Sequence, residues 1–370
     1  AFPYLSVGAR LLSGEFAAAF CSSMEETTDK TQDISLAARI GLWVAGCMDQ
    51  WGMRTSRDNP SFDRSRQFSY QCVPNHFLRT TVYSLAWGAR YCGNRYWDSD
   101  HFSILWPLIA KGILFVPRRN EILSFSPVHL SMKTPPDQRY LKEGTDVKWT
   151  VFYDEQTEIE NPLVFSHMNG SWPAAALTPW DYSRYASGIQ DRRQNFMPPT
   201  PYGMVLITPV QQGIFVQKKR VRKSLADYLH PYYRNKLQEF ITDGRYYYTA
   251  DGTERYEANS RYYHRIESAI RDAARLLPLN VQGTGVAWAC AQTAPTHLRL
   301  TLVDGGYLNP ADRTATIIFH TIKPVKIQDI LDHSIFPLKD GNTVKVPVPM
   351  GAFRFVDIEL ADPLPHTGKP

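Results

Sequence analysis

The chain has 370 residues, of which 43% are hydrophobic and 21% charged, a balance that excludes intrinsic disorder; no glycine or heptad period supports collagen or a coiled coil. At ~100–200 residues per domain the length allows two or three domains. The net charge of +5 is too small to call for nucleic acid and suits an anionic substrate better than a cationic one.

In chain order, residues 1–125 read as helices alternating with short strands. Residues 17–24 (AAAFCSSM) read as a buried strand ending at the acidic pair Glu25-Glu26. Residues 33–47 place Ile34, Ala37, Ala38, Gly41, Val44 and Ala45 on one helical face, with Asp33 as N-cap. Asn75 opens a second helix in which Phe77, Leu78, Val82, Leu85 and Ala89 recur at helical spacing, and residues 90–97 follow as a strand. A third apolar segment, 101–114, carries Pro107, which unsettles its helical start. Such alternation is the grammar of an α/β layer or barrel.

After Pro117 the texture changes. Pro135-Pro136, Pro198-Pro199 and Pro201 mark short strands and long loops, with strands expected at 148–153 and 203–209. A helix is expected between 224 and 241. A stronger one covers 262–277, where Ile266, Ala269, Ile270, Ala273 and Leu277 form a stripe. The tail alternates Leu298, Leu300 and Leu302 with polar neighbours, and adds strand-like runs at 315–319, 343–348 and 352–360 between Asn309-Pro310 and Asp340-Gly341 turns. Several short strands with regular turn punctuation predict a β-sandwich.

Some chemistries are not expected. Five cysteines (Cys21, Cys47, Cys72, Cys92, Cys290) form an odd count without a CxxC pair, which argues against a zinc site or a disulfide framework. The apolar stretches 34–48 and 104–116 are broken by Arg39 and Lys111 and are shorter than the ~20 residues of a membrane-spanning helix. The Ala-Phe-Pro start lacks a basic leader and an initiating Met, so a processed or truncated start is expected. There is no P-loop, GxGxxG turn or GxSxG elbow, and no nucleic-acid module.

The positive signals are carboxylates beside aromatic rings. Glycoside hydrolysis needs two carboxyl groups, one a proton donor and one a base or nucleophile, and Glu25-Glu26 at a strand end could supply one; a solvated pair is the bland alternative. Asp49, Gln50, Trp51 and Arg54 are expected in one loop, where carboxylate, amide, ring and guanidinium suit a sugar, unless they form a helix end with a packed Trp. Asp98 and Asp100 lie beside Trp97 and His101, but lack a third clear ligand for a metal. The basic run Lys218–Lys223 could grip sulfate or uronate groups, or be a solvated edge.

The acidic pair, the helix leading into GLWVAGCMDQWGMR and the helix leading into WGARY, followed by residues 201–252 with a strand ending Ile-Thr-Pro and Asp243-Gly244-Arg245-Tyr246, resemble glycoside hydrolase family 98. The tail from Leu298 with Asp312-Arg313-Thr314 resembles the β-sandwich that closes such enzymes. The resemblance implies an α/β plus all-β fold: residues 1–125 as the C-terminal portion of a (β/α)8 catalytic barrel, and 126–370 as a β-rich region, a β-sandwich with inserted helices. It implies an endo-acting, inverting hydrolase of β-linked galactose or xylose polymers, without cofactor or metal. Glu25 or Glu26 would be the base-side carboxylate, with Asp49 and Asp98 as weaker supports. Gln50, Trp51, Arg54, Trp97 and Asp98 would face the polysaccharide.

A (β/α)8 barrel takes ~250 residues, so the resemblance also implies an N-terminal polypeptide that completes the barrel and carries the general acid. The net charge and Lys218–Lys223 refine the substrate to a sulfated galactan such as carrageenan. The expected location is secreted or periplasmic, with neither nucleic acid nor membrane as partner. A non-catalytic carbohydrate-binding sandwich and a polysaccharide lyase remain the rival readings.

Overall fold

The computed structural model describes residues 14–25, 32–55, 76–94, 99–132, 200–208, 225–242, 246–257, 262–306, 310–338 and 341–365; the strand expected at 148–153 and the run Lys218–Lys223 lie outside them. The fold is mixed α/β with a strong β content. Three parallel strands come first, β1 (Cys21–Glu25), β2 (Gln50–Thr55) and β3 (Tyr91–Asn94), in the order β1-β2-β3. Parallel neighbours require crossover connections, and helices α1 (Gln32–Val44) and α2 (His76–Ala86) provide them, with α3 (Ser99–Ala110) following β3. No helix among the described residues is long and apolar enough to cross a membrane.

The first strand is shorter and wetter than its sequence suggests. Residues 14–19 form turns, with the Ala19 and Phe20 amides both donating to Phe16 O, and Cys21 and Ser23 are exposed. The strand is therefore not the buried one expected over 17–24. In α1 the residues Leu36, Ile40, Trp43 and Val44 are buried at helical spacing. The helix starts at Gln32, so Asp33 lies in its first turn and not at its cap. Helix α3 starts at Ser99 and carries Pro107 within it.

A mixed five-stranded sheet follows, in the order β5-β4-β6-β7-β8: β4 (Phe125–Met132), β5 (Met204–Thr208), β6 (Gln238–Thr242), β7 (Tyr246–Thr249) and β8 (Arg255–Glu257). Strands β5 and β6 both run parallel to β4. Helix α1 packs on β5 at Gly41, where an added Cβ would meet Ile207 O at 1.9 Å. Glycine is what lets helix backbone touch strand backbone here.

The helix expected across 224–241 is a correction. Only α4 (Leu225–Tyr228) is helical; Pro231–Tyr233 makes a tight 3-10 turn, Asn235 takes φ 63, and Gln238–Thr242 is strand β6. Proline cannot continue the hydrogen-bond ladder, and a left-handed residue ends any helix that survives it. His230 holds this turn: its Nδ1 accepts from Tyr232 N at 3.0 Å, which leaves Nε2 to donate to Gln292 Oε1 at 2.7 Å.

Beyond α5 (Tyr262–Ala273) the tail is a β-sandwich. A four-stranded antiparallel sheet, β10-β11-β15-β13, faces a three-stranded one, β14-β12-β9. The expected strands become β11 (His297–Asp304), β12 (Arg313–Phe319), β14 (Thr343–Val348) and β15 (Phe353–Leu360); β9 (Leu279–Gln282), β10 (Val286–Ala294) and β13 (Pro324–Asp329) were not anticipated. The four-stranded sheet is buried on both faces. Trp288, Leu300 and Ile358 pack into the sandwich, while Ala287, Ala289, Val303 and Phe355 join the core that holds α1 and α2.

Helix α2 is the wedge between the layers, and residues 78–89 are buried all round it, Arg79, Thr80, Thr81 and Ser84 included. Arg79 Nη1 donates to the carbonyls of Asp304 (2.6 Å) and Gly306 (2.9 Å) and lies 3.6 Å from Asp304 Oδ2. The Asp304 carboxylate also accepts from the amides of Gly306, Ala311 and Gly351 and from Arg313 Nε. Burial draws the Arg79 guanidinium down to about 10, with Asp304 pulling the other way, so Arg79 stays charged at neutral pH.

Two substitutions test this frame by chemical denaturation. Arg79→Ala leaves Asp304 facing Arg313 alone across the buried junction and should cost ~3–5 kcal/mol. Gly41→Ala forces α1 off β5 and should cost at least about 2 kcal/mol, as overpacking does. A wild-type midpoint in either variant would contradict the packing described.

Candidate active site

The three parallel strands end together. Glu25 pairs in register with Arg54, and Arg54 with Gly93, so β1, β2 and β3 bring a carboxylate, a guanidinium-bearing residue and a glycine to one C-terminal edge. Register partners on adjacent strands are ~4.8 Å apart. The C-terminal edge of parallel strands is where α/β folds gather chemistry. From α1, Arg39 Nε donates to Ser23 O at 2.6 Å, which fixes β1 two residues before Glu25. Glycine at 52 is required by the close pairing, because a Cβ there would meet Tyr91 O at 2.6 Å. Glu26, Trp97 and Asp98 lie outside the described residues.

The expected grouping of Asp49, Gln50, Trp51 and Arg54 in one loop is a correction. Residues Gln50–Thr55 are strand β2, so Asp49 and Gln50 sit at its start and Arg54 near its end. Five residues of strand separate Asp49 from Arg54 by roughly 16 Å, and Asp49 therefore does not accompany Glu25. Asp49 is exposed and bound through its backbone, its amide to Ala17 O at 2.9 Å and its carbonyl to Trp43 Nε1 at 3.0 Å. Nearby, Arg119 donates to Trp43 O and lies 4.6 Å from the Tyr228 ring centroid. Burial lowers the Arg119 guanidinium, with Tyr228 and then Asp49 opposing.

Trp51 is not a sugar platform. It is 0% exposed, its Nε1 donates to Trp87 O at 3.2 Å, and it sits in the core with Val82 and Phe125. Trp51 and Met53 are the inward positions of strand β2, and the polar composition around them makes the segment read as a loop.

A second polar group escaped the sequence reading. His129 on β4 and Glu239 on β6 are register partners across the parallel pair, with Nε2 to Oε1 at 3.4 Å. His129 donates to the Glu239 carboxyl, and with Ser131 holds it below the usual glutamate range, although burial pushes the other way. Nothing in the sequence marked this pair, because β6 reads as helix and β4 had no expected strand. Among the described residues no group of three His, Cys, Asp or Glu side chains is placed to hold a metal ion.

Two family models cover most of the chain: the lambda-carrageenase middle domain over residues 2–252 and the lambda-carrageenase C-terminal domain over 280–359. The chain belongs to the lambda-carrageenase family. It is 49% identical over 361 residues to lambda-carrageenases of Pseudoalteromonas sp. and of Pseudoalteromonas carrageenovora, covering 98% of this chain and 38% of theirs. It thus spans about two-fifths of the length of these relatives. Among solved structures, the catalytic module of a family 98 glycoside hydrolase from Streptococcus pneumoniae TIGR4 is similar at 12% identity and a TM-score of 0.37, over 94% of this chain and 69% of that one. An apo exo-carrageenase GH42 from Bacteroides ovatus is similar at 9% identity and a TM-score of 0.36, over 89% and 44%.

Two outcomes follow from these positions. Asp49→Asn, at an exposed side chain, should leave turnover in place and shift stability by no more than about 0.5 kcal/mol; loss of activity would return it to the site. Glu239 has a folded-state pKa below its ordinary value, so its contribution to stability is full above that ordinary value and is lost as pH falls through the lowered one. Urea midpoints measured down an acid series should fall less steeply in Glu239→Gln than in the wild type, and parallel curves would refute the pairing.

Proposed function

We propose that the chain is part of an endo-acting glycoside hydrolase that cleaves internal β-linkages of a sulfated galactan of the lambda-carrageenan kind, by inversion. Membership of the lambda-carrageenase family across residues 2–252 and 280–359 is the observation that carries this reading. On it, β1, β2 and β3 with their helices are the C-terminal portion of a (β/α)8 barrel within residues 1–125, and 126–370 is the β-rich region that supports it. The relatives, of which this chain matches 38%, leave room for an N-terminal polypeptide that completes the barrel and supplies the general acid. A polysaccharide substrate places the enzyme outside the cytoplasm, secreted or periplasmic.

In this mechanism Glu25 or Glu26 is the base. Its carboxylate takes a proton from a water molecule, which attacks the anomeric carbon on the face opposite the leaving oxygen, while the general acid protonates that oxygen. An inverting pair stands roughly 6.5–9.5 Å apart to admit the water. Arg54, the register partner of Glu25, brings a positive charge to the same edge, which suits a sulfate ester. Trp97 and Asp98, which follow β3 in sequence, would be further contacts to the sugar.

Glu25→Gln and Glu26→Gln in the full-length enzyme should test this. The variant that removes the base should lose about 10²–10⁴-fold in kcat and keep its oligosaccharide affinity within a few-fold. Unchanged turnover in both would remove the pair from the mechanism. A wild type that binds the chain without cleaving it would make the protein a binding module, and an unsaturated, ultraviolet-absorbing product would make it a lyase. Rising ionic strength should weaken hydrolysis by screening the basic groups, and a salt-independent rate would argue against an anionic substrate.

A further inference from the structure

The polar row on the mixed sheet has no part in the mechanism above. His129 and Glu239 pair in register, and so do Ser131 and Thr208 one pleat further along, so four polar residues line one face of three parallel strands. Thr208 Oγ1 donates to Leu130 O and is spent on the backbone. Glu239 is different. Its side chain is 35% exposed on a sheet whose other members here are buried, and His129, 7% exposed, lies beside it.

The arrangement gives no nucleophilic triad among the described residues, because His129 turns Nε2 to the carboxylate and its Nδ1 meets no hydroxyl there; a triad needs the imidazole between the other two. It equally disfavours a proton donor, since donors from His129 and Ser131 keep the carboxyl ionised. What remains is a fixed acceptor. A carboxylate accepts hydrogen bonds and donates none, so it accepts from a sugar hydroxyl and repels a sulfate ester at the same position. His129 Nδ1 has no hydrogen-bond partner among the described residues, so the ring's described polar commitment is to Glu239.

We propose that Glu239 forms a subsite for an unesterified sugar hydroxyl and excludes sulfate there, with His129 as the residue that positions it. The proposal rests on the sulfated-galactan reading and adds to it a sulfation pattern. Such a site selects by rejection: like charges brought together oppose binding more strongly than a lost hydrogen bond does.

The test compares full-length wild type, Glu239→Gln and His129→Gln on lambda-carrageenan and on the same polymer persulfated chemically, by calorimetric binding and by kcat/KM. The wild type should favour the parent chain at least about tenfold. Glu239→Gln should reduce that ratio several-fold, and His129→Gln should raise KM for the parent chain with little change in kcat. Equal affinity of the wild type for both chains overturns the subsite, as does a preference that Glu239→Gln leaves unmoved. If Glu239→Gln does not fold, the ratio in His129→Gln decides in the same way. A wild type that binds selectively but hydrolyses neither chain sinks the hydrolase reading and leaves the subsite standing.

Discussion

One buried ion pair ties this molecule together. Arg79 reaches from a helix of the parallel layer into the loop that follows β11, where two carbonyls and the Asp304 carboxylate receive it. A guanidinium has five donors and no acceptor, so placing one in a core commits the surroundings to oxygen atoms. The loop meets that demand by turning its own carbonyls inward, and Asp304 in turn gathers three backbone amides and Arg313. Removing both charges for apolar groups need not be costly, but removing either alone is. The pair thus gives specificity of docking: the helix layer and the sandwich fit in one relative position.

That docking accounts for what could and could not be read from the amino-acid sequence. Strands β12 and β14 announce themselves because only one face is fully buried: Ala315, Ile317 and Phe319 alternate with half-buried Thr316 and Ile318, and Val344, Val346 and Val348 with exposed Lys345 and Pro347. Strand β10 does not, because Ala287 and Ala289 face one core while Trp288 and Cys290 face another, and a strand buried on both sides loses its period. Helix α2 reads as amphipathic, yet Arg79, Thr80 and Ser84 are as buried as Val82; polar residues count as outward in a pattern, and only tertiary structure shows where their partners lie. Strand β6 reads as helix for the same local reason, since the proline and the left-handed Asn235 that break it carry little weight against apolar spacing.

The candidate site divides along similar lines. The strand end at Glu25 was legible because an acidic pair closes the run before it, and Arg54 lies in register with that end. Trp51 was misjudged because an aromatic ring among polar residues resembles a ligand platform, whereas the pleat turns the ring into the core. His129 and Glu239 meet only through parallel pairing of strands far apart in the chain, and parallel register leaves no trace in local spacing. Proximity in sequence does not put two residues in one site; Asp49 precedes strand β2 and Arg54 lies near its far end.

The span of the buried pair sets a schedule for synthesis. Arg79 and Asp304 are separated by 225 positions, and a ribosome adding about 5–20 residues per second leaves the helix without its partner for roughly 10–45 s. During that interval α2 exposes a side that will later be core, and the strands of the parallel layer have no sandwich to lean on. The nascent chain is therefore most vulnerable to aggregation before strands β10 and β11 emerge to meet it. Chaperone occupancy on the ribosome should concentrate in that window, and slow translation of the stretch between Arg79 and Asp304 would lengthen it.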